Sequence, residues 1–300
     1  MPVQRADIQI RDPFIVTIPE ERRYLLFGTT DKNCWEGGTG FDAYSSADLE
    51  DWEGPFPIFR PPPGFWGTKN FWAPEVHRHR GRWLLLASFK AEGRCRGTQA
   101  LAADAPLGPY APVGGGPLTP PEWECLDGTL FVDDADAPWL VFCHEWVQVT
   151  DGEICAMRLR ADLTGAEGDP MRLFRASEAP WVRPIRNTRW GIERGYVTDG
   201  PFLHRTAGGA LLMLWSSVGV EGYAIGVARS ATGRVTGPWA QEDTPLYGRD
   251  GGHGMLFRAL DGRLMLTIHA PNRTPQERPI FIEVAERDGT LRLAGGCSPS

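Results

Sequence analysis

No apolar stretch in this chain approaches the length of a membrane span, and no segment has the period of an amphipathic helix. Its apolar runs are short, which favours strands. Clustered positive charge is also scarce. The net charge is −7, and the basic runs are only HRHRGR at residues 77–82 and the scattered Arg183, Arg186 and Arg189. Phosphate backbones need grouped Lys and Arg, so a nucleic-acid partner is not expected. The six cysteines are Cys34, Cys95, Cys125, Cys143, Cys155 and Cys297. None forms a C-x-x-C pair and no histidine stands at finger spacing, which excludes a structural zinc site of that type. Cys143 and Cys155 lie in strand-like runs and read as buried thiols. The start, Met-Pro-Val-Gln-Arg, lacks the charged segment and apolar core of a secretory leader, so cytoplasm is the expected compartment. A chain whose leader had been removed would look the same.

What is present points to one all-β body. The 300 residues are 42% hydrophobic and 23% charged, enough to bury a large core, and 36 Gly and 26 Pro spread along the chain suit many turns. Five stretches read alike: RDPFIV at Asp12, APEVHR at Pro74, DGTLFV at Asp127, DGPFLH at Asp199 and GHGMLF at His253. Each is followed by a polar turn and an apolar run: YLLFGT, WLLLAS, WLVFCH, LLMLWS and LMLTIH. A third strand-like segment follows in each unit, and three units then carry a Gly-Pro turn with an aromatic, EGPF, LGPY and TGPW. A strand-turn-strand unit recurring about every sixty residues predicts a five-bladed β-propeller with four antiparallel strands per blade. The blades are expected near residues 4–66, 67–120, 121–190, 191–246 and 247–300. Residues 175–193, with Trp181, Arg183, Trp190 and Glu193, read as a loop insertion in the third unit. Loops on a rigid repeat scaffold are where binding residues collect.

In a propeller the innermost strands face one axis, so Asp12, Asp127 and Asp199 should meet there. Each alone is also an ordinary turn residue, since Asp-Pro and Asp-Gly are turn dipeptides. Their shared place in the repeat favours the other reading. Three carboxylates withdrawn from water cannot all stay ionised at low cost, and such coupling separates them into acid and base. The 12 Trp exceed what a core of this size needs, and flat rings suit sugar faces. Trp72, Phe71, Trp35 and Trp146 are the candidate stacking residues.

These residues resemble glycoside hydrolase family 43, through RDP at 11–13, FWAPEV at 71–76, LDGTLF at 126–131, DGPFL at 199–203, GPW at 237–239 and GGHG at 251–254. The resemblance covers nearly the whole chain. It implies a five-bladed propeller that hydrolyses glycosides with inversion, Asp12 as base, Asp127 as the group that tunes and orients, and the first carboxylate of the fourth unit as acid. It implies that His253 helps hold a calcium ion or a water cluster on the axis, and that Trp72 lies at the floor of the sugar pocket. The acid position departs from the family, which usually has Glu-Gly-Pro or Glu-Ala-Pro where this chain has Asp199-Gly200-Pro201. An Asp reaches about 1.5 Å less far. Glu145, in CHEW, and Glu193 are therefore alternative acids, although Glu145 reads more readily as a rim residue contacting substrate or pairing with Arg.

The substrates implied are oligosaccharides bearing α-L-arabinofuranosyl or β-D-xylosyl groups, cut from the non-reducing end. Rival readings are a related propeller enzyme such as a fructan hydrolase or mannoside phosphorylase, a sugar-binding propeller without catalysis, and a protein-interaction propeller. Trp123-Glu124-Cys125 resembles the Glu-Cys acid motif of fructan hydrolases, but it stands just before LDGTLF rather than in a unit of its own.

Overall fold

The computed structural model describes residues 2–32 and 34–295; Cys297 and the last residues of the expected fifth blade lie outside them. Nearly every element is a strand, and the strands form five antiparallel sheets plus one separate hairpin. The innermost strands are Arg11–Ile18, Lys69–His79, Cys125–Val132, Asp199–Arg205 and Gly252–Arg258. Each pairs with the next strand in sequence, and the order continues outward to a fourth strand. The first blade gains a fifth strand because Val3–Gln4 pairs with Asp51–Phe59 on its outer edge. The molecule is a five-bladed β-propeller.

The second strand of each blade explains the unbroken apolar runs. Leu25, Leu85, Leu140, Leu214 and Leu266 are each fully or almost fully buried. A blade buries both of its faces, one against each neighbour, so its strands need not alternate with polar residues. Accordingly the four apolar clusters lie between adjacent blades: blades 5, 1 and 2 share one, and the others join 2 to 3, 3 to 4 and 4 to 5. The three Gly-Pro turns of the repeat have cis peptide bonds, at Gly54–Pro55, Gly108–Pro109 and Gly237–Pro238.

Every blade is one continuous segment, so the ring closes without a shared strand, by side chains and by one backbone bond from the Ile10 N–H to the Glu277 carbonyl (3.4 Å). Arg11 of blade 1 reaches Glu277 (2.7 Å) and Asn272 (2.8 Å) of blade 5. Arg278 returns to the Ala6 carbonyl (2.7 Å), and Arg5 to that of Pro279 (3.3 Å). Glu277 is wholly buried, and a buried carboxylate of this kind is tolerable only with such a partner.

The insertion of the third unit is an ordered feature. Residues Ala176–Glu178 form a 3-10 turn, and Ile185–Asn187 pairs with Ile192–Gly195 in the separate hairpin. Trp181, read from sequence as part of a surface loop, is buried and packs on Trp215 with ring centroids 5.0 Å apart.

Candidate active site

All five inner strands break register at the same place. The irregularity falls between Arg11 and Phe14, Trp72 and Glu75, Leu126 and Thr129, Asp199 and Phe202, and Gly252 and Met255. The residue after the first of each pair is left-handed: Asp12 at φ 53°, Ala73 at 48°, Asp127 at 56°, Gly200 at 50° and His253 at 47°. A bulge re-aims the side chain it carries. Here five bulges turn the start of each inner strand toward the axis.

This corrects the shared register expected for the three aspartates. Asp12 and Asp127 occupy the bulge, but in blade 4 that place belongs to Gly200, and Asp199 stands one residue earlier, level with Arg11, Trp72, Leu126 and Gly252. In blade 2 the bulge is Ala73 and not Pro74. The reason in blade 4 is steric. A Cβ on Gly200 would come within 2.6 Å of the His253 ring, so a carboxylate has to be carried from the neighbouring position. The proline that follows the bulge, at Pro13, Pro74 and Pro201, was the signal that marks the true register.

The aspartates nevertheless converge. Asp12, Asp127 and Asp199 all line one cavity of about 930 Å³ at the mouth of the axis. His253 Nδ1 lies 3.1 Å from Asp12 Oδ1 and 3.6 Å from Asp127 Oδ2. The Gly200 N–H donates to Asp127 Oδ2 at 3.0 Å, which ties the Asp127 carboxylate to the residue beside Asp199. Thr29 donates to Asp12 Oδ2 (2.7 Å), and Tyr223 donates its hydroxyl to Asp199 Oδ2 (2.9 Å).

The three carboxyls have different affinities for a proton. Burial pushes Asp12 up, but the charges of His253 and Arg11 and the Thr29 hydrogen bond outweigh it and hold Asp12 below its ordinary value. Burial, then the charge of Asp12, raises Asp127 well above the carboxylate range, and the Gly200 N–H opposes this. Burial and Asp127 raise Asp199 to about 7, against the pull of His253 and Tyr223. Tyr223 itself is pushed well above 10 by burial and by Asp199, so its hydroxyl keeps its proton and donates. Asp12 is thus favoured as the charged carboxylate while Asp127 and Asp199 both hold their protons more tightly than usual, and the contrast between Asp12 and Asp199 is the pairing that acid–base chemistry needs.

Several supporting residues escaped the reading of the sequence. His269 accepts the Asp12 N–H at Nδ1 (3.1 Å) and meets Asn272 Oδ1 through Nε2 (3.1 Å). Nδ1 is therefore an acceptor and the proton sits on Nε2. Burial and the nearby Arg11 depress the His269 pKa to about 3, so the ring is neutral, and its 3.7 Å approach to Asp12 Oδ1 is no ion pair. Tyr223 stacks on the same ring, with centroids 5.6 Å apart. The polar residue closing each second apolar run, Thr29 and His269 among them, was the available clue.

The cavity walls are aromatic and charged. Trp72 and the half-exposed Trp35 meet edge to face at 5.3 Å, and Arg96 lies 4.2 Å from the Trp72 ring. Trp146 and Trp190 also line the cavity and meet at 5.6 Å, Trp190 being carried by the inserted hairpin. Three of the four aromatic candidates line the cavity, but Phe71 does not. It is buried in the core against Phe89 (4.8 Å), because the inner strand alternates and sends Trp72 to the cavity and Phe71 between blades. Glu145 lines the cavity but forms an ion pair with Arg96, while Lys90 pairs with Glu124. Glu193 stands exposed, paired with Arg186 at 2.9 Å and outside the cavity lining, so the structure does not bring it together with Asp12. Among the described residues no three His, Cys, Asp or Glu side chains gather as a metal-binding set. Calcium takes six to eight hard oxygen ligands. His253 turns its Nδ1 to Asp12, which leaves Nε2 as the ring atom that would hold such an ion, directly or through water.

The family described as glycosyl hydrolases family 43 matches residues 2–290. The chain belongs to this family. It is accordingly a glycosidase with a carbohydrate substrate. It is 25% identical to the extracellular exo-α-(1→5)-L-arabinofuranosidase of Cellvibrio japonicus, over 88% of this chain and 79% of that one. Among solved structures, an endo-arabinase from Bacteroides thetaiotaomicron is 43% identical, with a TM-score of 0.88 over 96% of this chain and 98% of that one. An α-L-arabinofuranosidase from Lactobacillus brevis shares the fold at 19% identity, with a TM-score of 0.71 over 98% of each chain.

Proposed function

We propose that this glycosidase hydrolyses α-L-arabinofuranosyl linkages in oligosaccharides with inversion, β-D-xylosyl linkages being the second choice. The observation that carries the mechanism is the convergence of Asp12, Asp127 and Asp199 in one cavity, where the surroundings lower the proton affinity of Asp12 and raise that of Asp199. Asp12 acts as the base and takes a proton from the attacking water. Asp199 is the acid that protonates the departing oxygen, and Asp127 is tied to the strand of Asp199 through the Gly200 N–H and lies beside its carboxyl. Inversion requires room for a water between base and acid. Trp72, Trp35, Trp146 and Trp190 offer flat surfaces against the sugar.

Arabinose is favoured because an endo-arabinase is the 43% identical relative and an exo-arabinofuranosidase the curated one. The test is a panel of nitrophenyl glycosides (α-L-arabinofuranoside, β-D-xyloside, β-D-galactoside and α-L-fucoside) with the product anomer followed by NMR. The arabinofuranoside should turn over fastest and release the inverted anomer first. Initial appearance of the retained anomer contradicts the mechanism. Calorimetric sugar binding with no turnover selects a non-catalytic propeller instead.

A further inference from the structure

The five hub bulges differ in what accepts their backbone N–H. Ala73 N–H goes to Thr29 Oγ1, that of Asp127 to Ser88 Oγ and that of His253 to Ser216 Oγ, each at 2.8 Å. That of Asp12 goes to His269 Nδ1 at 3.1 Å. Each acceptor comes from the second strand of the preceding blade, at an equivalent position. Thr29 pairs with Arg11, Ser88 with Trp72, Ser216 with Asp199 and His269 with Gly252. The fifth such position, opposite Leu126, is Cys143. Sulfur accepts hydrogen bonds weakly. The N–H that Cys143 would serve, on Gly200, goes to Asp127 Oδ2 at 3.0 Å.

We infer that Cys143 is a positioning residue: by filling the fifth acceptor place with a thiol, it leaves the Gly200 N–H to Asp127 and so fixes that carboxylate against the strand that carries Asp199. This rests on the roles assigned under the proposed function. The Gly200 N–H has one proton to give, and a hydroxyl at the Cys143 place would compete with Asp127 Oδ2 for it. The other groups facing Asp127 do not supply that bond. They are Asp12 and Glu75, whose charges favour its protonated form, Asp199, Arg96 at the cavity wall and His253 at 3.6 Å. The thiol is completely buried beside Asp127, Asp199 and Thr198, whose Oγ1 is itself buried without a conventional partner.

Two substitutions separate this role from packing. Cys143→Ser supplies the hydroxyl that Ser88 and Ser216 offer elsewhere in the ring. Cys143→Ala supplies no acceptor and leaves a small void. Crystal structures, melting temperatures, and kcat and KM on the arabinofuranoside would be measured for both. In C143S the new hydroxyl should take the Gly200 N–H and release Asp127, with kcat about tenfold lower and KM unchanged. C143A should keep the Asp127 contact and a kcat within about twofold of wild type, at a lower melting temperature. A purely structural role predicts the reverse order, with Ala more harmful than Ser. A C143S structure with the Gly200 N–H still on Asp127, or a C143A kcat as low as that of C143S, overturns the inference. If the wild-type protein hydrolyses no glycoside, the functional reading fails, and the two crystal structures alone still decide the role of Cys143.

Discussion

Asp199→Asn should destroy activity and, above neutrality, stabilise the protein. The folded chain holds the Asp199 proton up to about 7, whereas the ordinary value is 3.8. At pH below the ordinary value both folded and unfolded chains carry the proton, and Asp199 costs nothing. As pH rises from there, the unfolded chain releases its proton first and folding loses ground steadily until the folded carboxyl also ionises. Above pH 7 the deficit is complete, and the displacement corresponds to up to about 4 kcal/mol. Asn keeps the shape and still accepts from Tyr223, but it has no proton to lose. Relative to wild type, D199N should therefore gain little at pH 4 and up to about 4 kcal/mol at pH 8, a shift in melting temperature on the order of 10 °C. The assay is denaturant unfolding of both proteins across that range, alongside hydrolysis of the arabinofuranoside. A difference in stability that is the same at pH 4 and pH 8 would refute the claim that burial and Asp127 hold this carboxyl protonated.

Further expectations concern the neighbours of that residue. Asp12→Asn should lower kcat by roughly a thousandfold while calorimetric sugar binding persists, and undiminished hydrolysis would reject Asp12 as the base. Tyr223→Phe removes a donor that favours ionised Asp199, so the alkaline limb of the kcat/KM profile should move upward by about half a unit. A limb that stays in place or falls would mean that another group sets it. Trp35→Ala should raise KM with little change in unfolding, whereas Phe71→Ala should cost about 3–5 kcal/mol of stability, as read by denaturant melts. Equal KM effects from the two would falsify the assignment of one to the cavity and the other to the core.

The fold was legible because each unit repeats an inner start, an apolar second strand and a Gly-Pro turn, and five repeats at similar spacing leave few architectures. The convergence of Asp12 and Asp127 followed from the same periodicity. What the residues could not reveal was rotation about a bulge. Asp-Gly-Pro and Arg-Asp-Pro look alike when counted from the aspartate, yet the left-handed place falls on Gly200 in one and on Asp12 in the other. Counting from the proline would have resolved it. Phe71 and Trp72 are adjacent aromatics that pleating sends opposite ways, and the bulges of this strand hide which is which. Arg96, Tyr223 and His269 act through contacts between blades, and those depend on how neighbouring sheets twist past each other. Glu145 was readable as a partner for an arginine, but which arginine became evident only in three dimensions.

The join between the first and last blades has a bearing on how this enzyme could be altered. Arg11 and Asn272 both clasp the two ends of the ring and furnish one wall of the sugar chamber. Refitting that wall for a different glycoside therefore loosens the fastening of the whole molecule. The hairpin at residues 185–195, which lines the same cavity through Ile185, Asn187 and Trp190 but forms a sheet apart from the blades, bears no such duty, and selectivity can be remodelled there without unlatching the propeller.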